Sequence, residues 1–239
     1  FVNDKVDLIY AIATPAAQTV ANLTKDIPIV ASAITDYEGA KLIKSNNEPG
    51  GNLTGTSDMN PIKEQIDLLL KIAPNAKTIG CIYTSSEANS EIQFKAMKEY
   101  AESKGLKVES ATISNVNDIQ QAAQSLVGKV DVFWEPTDNV IASAIPTLVS
   151  VTDAAKKPVI CGEPNMVKNG GLATYGIDYY ELGKQSGHMA ADILEGKSKP
   201  ANMPIQFAKV LKAMFNKTDA AKLGITLSDD LLKDADIVE

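Results

Sequence analysis

Arginine is missing from the 239 residues, so all 23 basic side chains are lysines. No guanidinium fork is available to grip a carboxylate or phosphate bidentately, and an anionic ligand must be held by other groups. The 30 acidic residues give a net charge of −7. That balance disfavours nucleic acid, whose binding rests on clustered cations. Histidine occurs once, His188, inside the helical stretch "GKQSGHMAADILEG", and neither a GxSxG elbow nor a GxxxxGK[ST] loop is present. Triad hydrolysis and phosphate-loop chemistry therefore find no support. The two cysteines, Cys81 and Cys161, have no CxxC spacing, so neither a metal nor a redox cofactor is expected. No run approaches the roughly 20 apolar residues that span a bilayer. The chain starts at Phe1 with no methionine and without the charged n-region and apolar h-region of a signal peptide, so any export signal is expected to lie outside this chain.

What is present is an alternation. Short runs rich in Val, Ile and Tyr ("VDLIYAIA", "IPIVASAI", "KTIGCIY", "LKVESATI", "VDVFWEP", "PVICGE", "LATYGI") alternate with amphipathic stretches such as "PIKEQIDLLLKIAP" and "SEIQFKAMKEYAESKG". Strand and helix patterns in this order predict α/β architecture with parallel sheets covered by helices on both faces. Pro15 and Pro61 near first turns, and Gly105, Gly128 and Gly196 near ends, fit helix starts and stops. The segment "KIAPNAKTIG" ends one series and opens another, which suggests two lobes. In such a sheet the strand "VDVFWEP" separates those of Cys81 and Cys161 by two strand spacings, about 10 Å, so free thiols are predicted.

In open α/β sheets ligands sit beyond the carboxyl ends of the strands. The exits here read "ATPAAQ", "AITDYEG", "YTSSEANS", "EPTDNV", "GEPNM" and "YGIDYY". One capping residue satisfies a helix start, yet "SSEANS" and "PTDN" each offer several polar groups. That surplus points to a ligand. Helix N-termini at "TPAAQ" and "SEANS" offer free N–H groups for a small carboxylate, and Asp138 and Glu163 at neighbouring exits suit an ammonium, so a zwitterion fits. Trp134, Tyr83 and Tyr175 lie beside these exits, either as core or as a face for a planar ligand. An enzyme using Asp138 and Glu163 as acid and base is the weaker alternative, because it needs environments that separate their pKa values.

"TPAAQ", "GGNLTGTSD", "YTSSEANS", "PTDN" and "GIDYYELGKQSG", in this order and spacing, resemble the substrate-binding proteins of ABC transporters, the nearest group being similar to tryptophan- and aromatic amino-acid-binding members. The resemblance covers essentially the whole chain. It implies a two-lobed type I periplasmic binding-protein fold, each lobe a doubly wound parallel sheet, closing on a ligand by hinge motion. It implies a first lobe of residues 1–76 with 177–202 and a second of 77–176 with 203–239. Carried over to this sequence, Thr14, the N–H groups of Ala16 and Ala17, and Thr35 would bind from the first lobe. Ser85, Asn89, Ser90, Thr137, Asp138, Asn139 and Glu163 would bind from the second, with Asp178 beside the hinge. The implied function is binding without catalysis: an extracytoplasmic or membrane-tethered lipoprotein that presents a small amino acid to a membrane permease. A ligand-sensing domain on the same fold is the alternative. Members of the family carry a further strand, helix and strand before the segment matching "FVNDKVDLIYAIA". The resemblance thus implies an N-terminally truncated first lobe, with "VDLIYAIA" left at an unpaired edge and open to completion by a partner chain.

Overall fold

The computed structural model describes all 239 residues, Phe1–Glu239. In chain order the elements are β1 (Ile9–Ile12), α1 (Thr14–Leu23), β2 (Ile29–Ile34), β3 (Leu53–Ser57), α2 (Ile62–Ile72), β4 (Thr78–Thr84), α3 (Ala88–Ser103) and β5 (Lys107–Ile113). They continue with α4 (Ile119–Leu126), β6 (Val132–Glu135), α5 (Asn139–Ser143), α6 (Ile145–Ala154), β7 (Val159–Cys161), α7 (Pro164–Lys168) and β8 (Ala173–Ile177). The last are α8 (Tyr179–Leu194), β9 (Gln206–Phe207), β10 (Leu211–Asn216), α9 (Lys217–Leu223), α10 (Asp229–Leu232) and β11 (Asp236–Val238). The alternation read from the sequence is thus realised, and every strand pair whose register is resolved is parallel.

The chain divides into two units, residues 1–59 with 177–211 and residues 60–176 with 212–239. Two of its three boundaries differ from those expected, at 59–60 instead of 76–77 and at 211–212 instead of 202–203. The first falls before α2 because Gln65, fully buried, ties that helix to the second unit. Its Nε2 donates to the carbonyls of Gly162 (3.3 Å) and Tyr175 (3.0 Å), and its Oε1 accepts from Trp134 Nε1 at 2.9 Å. Polar side chains inside a helix stripe do not register in a hydrophobic pattern. The last boundary falls after β9, because that two-residue strand pairs with β3 and so stays in the first unit.

The first unit has one sheet in the order β1-β2-β3-β9. Successive side chains of a strand face opposite ways, and β1 uses both faces differently. Ile9 and Ala11 join the core with Ala17 and Ala21 of α1. On the other face Tyr10 reaches α8 through a hydrogen bond with Ser186, whose hydroxyl also meets Ser32 at 3.1 Å. Tyr10 and Ile12 nevertheless remain 41% and 63% exposed, and β1 pairs with β2 alone, so this strand is an open edge.

The second unit has a sheet in the order β11-β10-β8-β7-β6-β4-β5. After β4 the chain moves outward to β5, then returns to place β6 on the other side of β4. The reversal makes the tips of β4 and β6 the switch point of this sheet, where helices leave in opposite senses and a crevice opens. Cys81 on β4 and Cys161 on β7 are buried free thiols separated by β6, as predicted. The core of this unit gathers Phe133, Ile141, Leu148 and Met166, all fully buried.

Candidate ligand-binding site

At the switch point of the second unit, Asp138 is fully buried and caps α5 through Ile141 N–H at 2.9 Å. The same Oδ1 accepts from Thr84 Oγ1 (2.8 Å), while Oδ2 accepts from Thr84 N–H (2.7 Å) and Ser90 Oγ (2.7 Å). Four donors occupy the four lone-pair positions of a carboxylate. Asp138 therefore welds β4, α3 and α5 together and offers a ligand no acceptor. The expected pairing of Asp138 with an ammonium is corrected on that ground.

Glu87, at the start of α3, is buried and organises the rest. Its Oε2 accepts from Asn89 Nδ2 (2.9 Å), Asn139 N–H (3.2 Å) and Asn139 Nδ2 (2.7 Å). Asn89 Nδ2 also donates to the Thr137 carbonyl at 2.9 Å. One turn along α3, Gln93 accepts the Thr137 N–H at 3.1 Å and donates to the Asn89 carbonyl at 3.2 Å. Asn60 Nδ2 closes the network by donating to Thr137 Oγ1 and to Gln93 Oε1. Thr137 Oγ1 is thereby an acceptor from Asn60, and its own hydroxyl proton is left available. No side chain caps α3, and the Ser90 and Glu91 N–H groups already donate to the Glu87 carbonyl, so the open amides at its start are those of Ala88 and Asn89.

Two buried side-chain oxygens in this network, Asn60 Oδ1 and Asn89 Oδ1, have no hydrogen-bond partner. Such groups cost about 1–3 kcal/mol each when left unsatisfied. Glu135, at the tip of β6, is fully buried and accepts only from Ile82 N–H. Burial, and next the neighbouring Asp138, push its carboxyl well above the usual range. Glu163 caps α7 through Asn165 N–H (2.7 Å) and Met166 N–H (2.8 Å). Gly162 precedes it where a Cβ would lie 2.6 Å from both Pro136 C and Thr137 N, so only glycine lets the β7 tip approach the Thr137 loop this closely.

The structure thus brings Asn89, Ser90, Thr137, Asp138 and Asn139 into one network. Ser85 stands apart, exposed, with its hydroxyl on the Ile113 carbonyl at 3.3 Å. Glu87, Gln93 and Asn60 were missed. Glu87 lies within the quoted exit but reads as an ordinary first-turn acid, and the four-residue spacing of Asn89 and Gln93 is the signal that would have placed both on one helix face.

In the first unit α1 begins without a side-chain cap, and Pro15 contributes no N–H. Thr14 is buried, while Ala16 is exposed. The Ala17 N–H already donates to the Ala13 carbonyl at 3.1 Å, so of the two alanine amides expected to bind only that of Ala16 is uncommitted. Ala13 itself sits at φ 69, ψ 156, a strained conformation for a residue with a Cβ. Thr35 donates to Asp58 Oδ1 at 3.3 Å, and Tyr179 donates to Asp58 Oδ2 at 2.9 Å. Burial raises the Asp58 carboxyl above its ordinary range. Asp178 is exposed and caps α8 through the N–H groups of Tyr180 and Glu181 at 3.0 and 3.1 Å.

The aromatic residues do not gather into a ligand face. Trp134 is wholly buried, Tyr83 stacks on Phe94 with ring centroids 4.7 Å apart, and Tyr175 lines a groove with Leu68 and Phe215.

Known proteins are similar to this chain over most of its length. A tyrosine-binding protein of Clostridioides difficile is 48% identical over 234 residues, 98% of this chain and 68% of its own length. The ABC domain solved with L-Trp from Streptococcus pneumonia superposes with a TM-score of 0.95 at 44% identity, covering 100% of this chain and 82% of that one. A conserved domain protein of Vibrio cholerae gives 0.96 at 39% identity, over 100% and 80% of the two chains. These likenesses agree with the type I periplasmic binding-protein fold expected from the motifs. The profile of the family described as ABC transporter substrate binding protein matches residues 1–239, and with relatives this close over nearly its full length the chain belongs to that family of binding, non-catalytic proteins.

Proposed function

We propose that this chain is the extracytoplasmic solute-binding component of an ABC importer, and that it captures an aromatic amino acid and delivers it to a membrane permease. The observation that carries the reading is the hydrogen-bond network at the tips of β4 and β6, where Glu87, Asn89, Thr137 and Asn60 hold more polar groups than capping needs and two buried amide oxygens lack donors. Open amides at the start of α3 suit a carboxylate in a chain without arginine. The L-Trp complex and the tyrosine-binding relative support the aromatic class.

In this reading Asp138, Ser90 and Glu163 hold the site and Asn89, Thr137 and Asn139 reach the ligand from the second unit, while Thr14, Ala16, Thr35 and Asp178 are the candidates of the first unit. Calorimetric titration with L-tyrosine, L-tryptophan, L-leucine and galactose tests the function. Saturable one-to-one binding of an aromatic amino acid, without consumption, is expected. Binding of the sugar alone, or turnover of any of the four, overturns it.

A further inference from the structure

The second unit holds four buried acids around its switch point, and their bonding separates them. Asp138 has no lone pair to spare, Glu163 spends both oxygens on the backbone of α7, and Glu135 is sealed in the sheet against Ile82. Glu87 differs. Its three donors all converge on Oε2, and Oε1 has no partner. No lysine balances it: the ion pairs of the protein involve neither Glu87 nor Asp138. A carboxylate that is 5% exposed and faces no cation is costly unless some other charge meets it.

Asn89, 4% exposed, supplies a second and independent observation. Of the three groups around its Nδ2, Glu87 Oε2 and the Thr137 carbonyl can only accept, and the Ser90 hydroxyl at 3.3 Å already donates its proton to Asp138. The amide must therefore present its NH₂ to them, and its Oδ1 is left buried without a donor. Turning the amide over would set oxygen against oxygen. Glu87 and Asn89, joined by the hydrogen bond from Nδ2 to Oε2, each keep an oxygen without a protein donor, and together they match a group that carries several N–H donors and a positive charge.

We propose that Glu87, with Asn89, receives the ammonium of the ligand and makes the protein select for an α-amino group. The assignment rests on the amino-acid reading of this site. Charge supplied by the ligand completes an environment that the chain leaves anionic, and an analogue without the amino group forfeits that gain. Removing one partner of such a buried pair costs roughly 30-fold or more in affinity.

The test compares the wild-type chain with Glu87→Gln, titrating L-tyrosine and L-tryptophan alongside 3-(4-hydroxyphenyl)propionate and indole-3-propionate, which keep ring and carboxylate but lack the ammonium. The wild type is expected to prefer the amino acids strongly. In Glu87→Gln the amino-acid affinity is expected to fall about 30-fold or more while that for the propionates holds or rises. Glu87→Asp, which keeps the charge, should retain the preference and serves as the variant should Glu87→Gln not fold. Equal losses for both ligand classes would mean that Glu87 acts only by placing Asn89 and Asn139, and would overturn the assignment, as would unchanged tyrosine affinity. A wild type that binds the amino acids no better than the propionates sinks the assignment while leaving aromatic binding intact. A wild type that binds neither class sinks the underlying reading.

Discussion

Ser90 Oγ donates a 2.7 Å hydrogen bond to Asp138 Oδ2 across 48 residues of sequence, so two residues that a strand-tip argument aims at a ligand are aimed at each other. With Thr84 they lock the exits of β4 and β6 into one rigid corner. Asp138→Ala would strand two buried N–H groups and two hydroxyls. A loss of roughly 2–4 kcal/mol in stability is expected, read as a lower urea midpoint of the ligand-free chain. An unchanged midpoint together with weakened amino-acid binding would instead return Asp138 to direct contact.

Gly162 gives a second handle on the same corner. A methyl group there meets backbone atoms of Pro136 and Thr137 at 2.6 Å, and backbone cannot swing aside as a flexible side chain can. Gly162→Ala should displace the Thr137 N–H from Gln93, lower stability by about 1–3 kcal/mol, and weaken ligand binding on the order of tenfold. Gly51, whose added Cβ meets nothing within 4 Å, is the control, and Gly51→Ala should change neither quantity.

The edge of β1 carries Tyr10 and Ile12 outward with no charged residue among Ile9–Ile12 to discourage pairing. Exposed edges of this kind recruit further strands. Ile12→Lys should suppress concentration-dependent association in sedimentation velocity without altering the melting temperature by more than a few degrees. A wild type that stays monomeric at every concentration would show that this edge does not pair between copies of the chain.

The strand and helix order, the two units and the separation of the cysteines by β6 were legible because they follow from hydrophobic period and from right-handed βαβ connections. The tips of β4 and β6 were legible as a polar surplus. What each residue there does was not, because a carboxylate's role depends on which donors reach it in space. Asp138 and Glu87 look alike in sequence, yet one is saturated by Thr84, Ser90 and Ile141 while the other keeps an open oxygen. Trp134 likewise ends a strand beside the exits, and only the side-chain Oε1 of Gln65 buried with it shows that the indole belongs to the core. The α2 boundary escaped for the same reason, since Gln65 works through hydrogen bonds rather than through apolar spacing.

Asp219 in the first turn of α9 is 2% exposed and lies against Asp153 of α6, with Lys222 reaching Asp153 at 3.8 Å and Lys156 Nζ on the Lys222 carbonyl. Burial, then the Asp153 charge and a hydrogen bond with it, raise the Asp219 carboxyl to about 7, while Lys222 opposes the rise. A carboxyl whose folded value exceeds its unfolded value near 3.9 binds its proton more tightly when folded. Its contribution to stability is complete at low pH, declines as pH climbs from about 4 towards 7, and is gone above that. Asp219→Asn keeps a neutral, hydrogen-bonding group at every pH. The unfolding midpoint of the wild type should therefore fall relative to that of Asp219→Asn between pH 5 and pH 8, and a constant gap between the two across this range would show that Asp219 is ionised throughout.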